Sequence, residues 1–410
     1  MIRARSPWLR RDGDLRRMSK CFSAQRPTVA VAGSMAQLPR RGGHSWVFMQ
    51  YLLGLRRLGF DVLFIDSLTS EMCLNADGMP SSVETSHNAV YLADLMRWCG
   101  LQDSFALLHD GGGRSLGLSR EELLRRVRES ALLINVMGYL DDEEVLDAFP
   151  LRVFLDIDPG FSQMWHELGL CDLFAGHDRF VTIATNIADP RCRIPTCGIE
   201  WETTAPPVVL DLWPSCATQA AEPITTVGSW RGPNDPVAFE GTVYGLRAHR
   251  FRQIAHLPTI SEQRFQVALA IDSWDGSDRQ LLTSNGWNIV DPDDVAGDPW
   301  KYRNFVQQSA AELMVAKAMY VQTYGGWFSD RSACYLASGR PVIAEDTGWT
   351  QTYPEGVGLL AFRNADDAAA AVAEVRGDYA RHSVAAREVA ETCFASDVVL
   401  TRLLEKLGVE

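Results

Sequence analysis

The chain has 410 residues, more than one hydrophobic core usually supports, so two domains of ordinary size are expected. Hydrophobic residues at 46% and charged residues at 22% describe a folded chain rather than a disordered one. A formal net charge of −13 repels phosphate backbones and anionic lipid, which argues against nucleic acid or a membrane surface as the main partner. No apolar run reaches the roughly 18 residues of a membrane span.

Residues 1–27 read as a basic extension. Arg3, Arg5, Arg10, Arg11, Arg16, Arg17 and Lys20 face only Asp12 and Asp14, and Met18 is an alternative start. The stretch lacks the apolar centre of a secretory signal. Nine cysteines, without a C-x-x-C pair or a Cys/His metal spacing, fit reduced thiols in a cytoplasmic protein.

From Thr28 the pattern is layered α/β. Val29–Ala32 reads as a strand, Gly33–Gly43 as a loop, and "HSWVFMQYLLGLRRLG" as a helix with Gly59 at its C-terminal cap. Asp61–Asp66 completes a βαβ unit, which implies a parallel sheet. Strand candidates at Ala131–Val136, Val153–Asp156, Leu173–Ala175 and Phe180–Ile183 extend it over a first domain, 28–205. Pro206, Pro207, Pro214 and Pro223 interrupt helix and strand alike and mark 206–223 as a linker. A second α/β series, 224–380, opens with "ITTVGSW". It continues through a helix Val243–His256, strands Gln266–Ile271 and "WNIVD", and a helix Tyr302–Glu312. Arg381–Leu407 reads as a terminal helix within 381–410, expected to pack back on the first domain. The expected fold is two doubly wound, Rossmann-like α/β domains facing across a cleft, with ligands beyond the carboxyl ends of the strands.

Several residues carry candidate chemistry. The glycines of the first loop, Gly33, Gly42 and Gly43, do not make G-x-G-x-x-G, and the loop is too long for a dinucleotide turn. Gly42 and Gly43 open a helix whose N–H groups could meet an acceptor, and His44 is either a general base or a packed histidine. In "FLDIDPGF", Asp156 and Asp158 are read as acceptor-side carboxylates, with a turn-forming Asp-Pro-Gly as the alternative. Trp230 and Arg231 follow the first strand of the second series, where arginine suits a phosphate. Lys317 precedes "TYGGWFSDRS". There Gly325 and Gly326 permit close backbone approach, Ser329 is an N-cap, and Asp330, Arg331 and Ser332 stand in the first helical turn. The free N–H groups of that helix form an anion site.

This last stretch resembles the GT-B superfamily of nucleotide-sugar glycosyltransferases. Gly326, Trp327 and Ser329 match the Gly, Trp and second polar residue of its His-Cys-Gly-Trp-Asn-Ser motif, with Phe328 replacing the Asn and Tyr324 the His. "ACYLASGRPVIAEDTG" is equally similar to the retaining, sucrose-synthase-like branch. The Glu-x7-Glu pair of that branch falls at Gly326 and Cys334, so both glutamates are missing. The resemblance implies that Gly325–Ser332 cradles a diphosphate and that Glu345 and Asp346 grip sugar hydroxyls. It also resembles the other main glycosyltransferase fold at Asp156-Ile157-Asp158, whose D-x-D pair holds a divalent ion, but an acceptor-side role is preferred here.

The function so implied is metal-independent transfer of a sugar from a nucleotide diphosphate sugar, such as a UDP or TDP sugar, to a small-molecule or glycan acceptor. No cofactor is expected beyond that co-substrate. A sugar-nucleotide epimerase or hydrolase, or a catalytically silent nucleotide-sugar-binding subunit, are the alternatives.

Overall fold

The computed structural model describes residues 27–216 and 220–409; residues 1–26, which hold nearly all of the basic extension, lie outside the described residues. Eight strands form the first sheet: β1 (Thr28–Ala32), β2 (Asp61–Leu68), β3 (Phe105–His109), β4 (Arg114–Gly117), β5 (Leu132–Val136), β6 (Arg152–Asp156), β7 (Arg179–Thr182) and β8 (Trp201–Thr203). Their order is β4-β3-β2-β1-β5-β6-β7-β8, parallel except for the β3–β4 hairpin. Every residue of β5 is buried, as expected for a strand covered by helices on both faces.

The second sheet has the order β13-β12-β9-β14-β15-β16, built from β9 (Ile224–Ser229), β12 (Phe265–Ala270), β13 (Asn288–Val290), β14 (Ala311–Met314), β15 (Val342–Glu345) and β16 (Leu359–Phe362). All its pairings are parallel. A separate hairpin, β10 (Val237–Phe239) with β11 (Thr242–Tyr244), follows β9. Each six- or eight-stranded sheet reverses its winding once, between β1 and β5 and between β9 and β14, and the two reversals mark the cleft.

The helix Gly42–Arg57 follows β1 and buries its apolar face from Trp46 to Leu55, with Gly59 at φ 88° just beyond it. The terminal helix Ser396–Leu407 lies across it, and Gly54 makes the approach possible, since a Cβ there would stand 2.5 Å from Leu400 Cδ1. Lys406 Nζ donates to the Thr203 carbonyl at 2.7 Å, so the C-terminal segment ends on the first domain.

Four local expectations are corrected. Leu173–Ala175 is not a strand, because Asp172 caps a turn there by accepting from Phe174 and Ala175. The helix expected over Val243–His256 is only Arg247–Gln253, its first residues being taken by the β10–β11 hairpin. The helix expected over Tyr302–Glu312 runs Pro299–Gln308, because Asp298 caps it by accepting from the N–H groups of Trp300 and Lys301 and β14 claims its end. Arg381–Leu407 is two helices, Tyr379–Val389 and Ser396–Leu407, parted where Ser396 N–H donates to Val208 at 2.8 Å.

Candidate functional site

At the second winding reversal, β9 and β14 pair only through Ala311 with Ile224 and Glu312 with Thr225, and then splay apart. Two arginines fill the gap. Arg331 Nη1 donates to the Val227 carbonyl at 2.9 Å, and its Nε to Glu312 at 2.5 Å. Arg247 donates from Nη1 to Ser229 at 2.9 Å and from Nε to Val315 at 3.1 Å, linking the ends of both strands. Gly228 is what lets it lie there, because a Cβ would stand 2.1 Å from Arg247 Nη1. Arg331 thus has a carboxylate, whereas Arg247 has only carbonyl partners among the described residues. Burial, reinforced by the Arg331 charge, pushes the Arg247 guanidinium down to about 9. It is still charged at neutral pH, and a half-buried guanidinium held only by carbonyls, with Asp158, Glu312 and Asp330 acting on it from further off, can take an anion.

Lys317 is the second cation of this crevice. Its Nζ stands 2.8 and 2.9 Å from the two oxygens of Asp158, in the other domain, and over the rings of Phe161 and Tyr320. The preceding loop is pinned by Glu345, whose Oε2 accepts from Ala316 N–H at 3.0 Å while Oε1 pairs with Arg250.

That arrangement moves several expected site residues. Glu345, 1% exposed, is a support for the Lys317 loop rather than a free sugar grip. Asp346 pairs with Arg363 and accepts from Gly348 N–H. Of the two strand-end aspartates only Asp158 reaches the cleft. Asp156 is fully buried, accepting from Gln163 Nε2 at 2.7 Å and Thr182 Oγ1 at 2.9 Å, and burial pushes its pKa up to about 7. The Asp156 carboxylate Oδ1 also accepts from Asp158 N–H at 3.2 Å, which shapes the turn that aims Asp158.

On the first domain, His44 Nε2 donates to the Ser34 carbonyl at 3.1 Å, and burial lowers its pKa to about 4, so the ring is neutral. Gly42 and Gly43 do not face an acceptor. A Cβ on Gly42 would stand 2.1 Å from the Asp298 carbonyl, and one on Gly43 2.9 Å from the Tyr302 ring, so this pair serves close approach of the second domain.

The same holds for the stretch before the helix Asp330–Ala337. Asn186 N–H donates to Gly325 at 2.9 Å, its Nδ2 to Gly348 at 2.9 Å, and Thr185 Oγ1 to Gly326 at 3.2 Å. Gly325 and Gly326 therefore make room for residues 184–194, not for a diphosphate; a Cβ on Gly325 would lie 2.6 Å from Ile194. Trp327 stacks on Tyr320 at 4.1 Å, and Phe328 on Phe394 at 5.0 Å inside the core. Ser329 occupies the N-cap position without a side-chain cap bond. The Asp330 carboxylate folds over the N–H groups of residues 330 and 331, and burial raises its pKa. Arg331 turns under the sheet, and the buried Ser332 Oγ has no partner. Trp230 is core, donating to Asp278, and Arg231 is held by Asp275 at the rim. The helix terminus expected to take an anion is thus covered by Asp330, and the cations Arg247 and Lys317 lie at the strand ends beside it.

Arg247 escaped the sequence reading because the helix was begun four residues early, which hid its place at the helix start. A second feature went unseen, a polar cavity of about 260 Å³ beyond the ends of β12 and β13. Arg41 of the first domain and Arg279, Asp291 and Asp293 of the second line it.

No protein-family model and no curated protein sequence matches the chain significantly. Solved structures do. Sucrose-phosphate synthase from Thermosynechococcus elongatus superposes with a TM-score of 0.53 at 13% identity, over 93% of this chain and 99% of that one. HepE from Anabaena, in complex with UDP-glucose, gives 0.56 at 11% identity over 93% and 100%. A glycosyltransferase from Rickettsia africae gives 0.51 at 12% identity over 93% and 98%. Among the described residues no helix is long and apolar enough to cross a membrane. The superposition runs over nearly the whole length of these chains, and the fold, with its two doubly wound sheets, is that of the GT-B glycosyltransferases.

Proposed function

We propose that the chain transfers a sugar from a nucleoside diphosphate sugar to a small-molecule or glycan acceptor, without a divalent metal. The observation that carries this reading is Arg247, a half-buried cation at the β9–β14 split whose hydrogen-bond partners among the described residues are carbonyls and not a carboxylate. In the reaction an acceptor hydroxyl oxygen attacks the anomeric carbon, the bond from that carbon to the phosphate oxygen breaks, its electron pair leaves on the diphosphate, and the hydroxyl proton passes to Asp158 or to the departing phosphate. Arg247 and Lys317 are placed to balance that growing charge, in the role a divalent ion could otherwise fill. The cavity at Arg41, Arg279 and Asp291 lies beyond neighbouring strand ends of the same sheet and suits the nucleoside end of such a donor. UDP is the first nucleotide to try, since HepE is found with UDP-glucose.

Calorimetric titration with UDP, TDP, GDP and ADP tests the reading. At least one is expected to bind, and Arg247→Ala is expected to weaken it about tenfold or more, the loss of one charge-assisted contact. No binding by any of the four sinks it. A second reading, a silent nucleotide-sugar-binding subunit, draws on Glu345 and Asp346 being engaged by Arg250 and Arg363. Nucleotide binding without turnover across an acceptor panel would select it.

A further inference from the structure

We propose that Asp158 and the donor diphosphate are alternative partners of Lys317, so that donor binding frees Asp158 to receive the acceptor. The inference rests on the donor reading above and adds to it an order of binding.

Lys317 and Asp158 stand 159 residues apart in the chain and come from opposite sheets, yet both carboxylate oxygens are within 2.9 Å of the ammonium. The pair is largely sheltered, with 12% of the Lys317 side chain and 25% of Asp158 exposed. Lys317 cannot swing far, because Glu345 holds the Ala316 N–H and the rings of Phe161 and Tyr320 flank the ammonium. The loop after β9 leaves the stem free, since even a Cβ on Gly232 would be 4.0 Å from Lys317 Cε. Asp158 also acts electrostatically on Arg247, the other cation of the crevice. One carboxylate of the first domain thus acts on both cations of the crevice.

A diphosphate carries more negative charge than a carboxylate and would sit against the same cations. Held close together, the two anions repel, and low local dielectric strengthens the repulsion. As the diphosphate takes Lys317, Asp158 loses its partner and faces the cleft as a free hydrogen-bond acceptor, suited to a hydroxyl of the incoming acceptor. Because coupling is reciprocal, whatever occupies Asp158 in place of Lys317 also favours the donor.

The exchange has a signature opposite to that of an ordinary binding residue. Titration of the full chain with the tightest of UDP, TDP, GDP and ADP is expected to show Asp158→Asn binding about fivefold tighter than the parent or more, the size of a typical coupling. Lys317→Ala is expected to bind more weakly, and Asp158→Asn added to Lys317→Ala to gain less than it gains in the parent, because only the direct repulsion and the Asp158 field on Arg247 are then relieved. Asp158→Ser, measured in parallel, covers the case that the asparagine variant does not fold. If both folded Asp158 variants bind the nucleotide no tighter than the parent, the exchange is overturned and the donor reading stands. If the parent binds none of the four, both fall.

Discussion

Two buried acids set how single residues respond to pH. Asp156 and Asp66 have almost no exposure, and burial pushes their pKa values from 3.8 up to about 7 and about 8. Asp66 holds the loop after β1 by accepting from Ala36 N–H at 2.7 Å, much as Asp156 holds the turn after β6. A folded pKa above the unfolded one gives stability that is complete below the unfolded value and is lost as pH rises through the folded value. The carboxylates that are depressed by arginines, such as Asp142 and Asp278, titrate below this range and so leave it uncluttered. The unfolding free energy is therefore expected to fall between pH 5 and pH 8 by an amount on the order of a few kcal/mol, read as a falling thermal midpoint. Asp156→Asn should flatten part of that slope; a slope unchanged in this variant would remove Asp156 from the account.

At the scale of elements, the crossing of the helices Gly42–Arg57 and Ser396–Leu407 depends on one missing side chain. A Cβ on Gly54 would lie 2.5 Å from Leu400 Cδ1 and 3.0 Å from Ser396 Cβ. Gly54→Val adds two further carbons to that contact, and overpacking of this kind costs about 1–3 kcal/mol. Urea denaturation should read it as a lower midpoint with the slope unchanged. The long periodic elements were legible in the sequence: the helix after β1 shows its apolar spacing over four turns, and β5 and β6 are apolar runs between polar ends. Short elements were not. The β10–β11 hairpin has three residues in each strand, too few to show a period, and Val243 and Tyr244 of β11 were absorbed into a helix. β14 is four residues and follows directly on a helix, with no glycine or proline between them to mark the change.

For the molecule as a whole, the decisive feature is the seam between the domains. Backbone bonds cross it, from Asn186 N–H to Gly325 and from Arg193 N–H to Thr323, and Asn186 Nδ2 reaches Gly348. Such bonds tie one side of the cleft, while Lys317 with Asp158 and Arg41 with Asp293 span it through side chains alone. Gly326 sits in this seam at φ 77°, and a Cβ would lie 2.4 Å from Thr185 Oγ1. Gly326→Ala combines left-handed backbone strain with a clash and should destabilise by about 1–3 kcal/mol. Because the strain falls on the seam, the domains should then unfold in two calorimetric steps, and a single cooperative step would show that the seam does not carry the coupling.

By itself the sequence determined the class of fold, because hydrophobic period and proline placement are local properties that each segment expresses without reference to the others. It also placed the candidate residues near strand ends, which can be read from the same pattern. What each side chain does there was decided only by tertiary structure. "GG" at 325 looks the same whether it makes room for a phosphate or for Ile194, and Asp156 and Asp158 look alike until Gln163 and Thr182 claim one and Lys317 the other. Those partners lie up to 159 residues away, and burial and charge depend on neighbours in space. Arg247 is the clearest case, an unremarked basic residue in the chain that becomes a cation bonded only to strand-end carbonyls where β9 and β14 part.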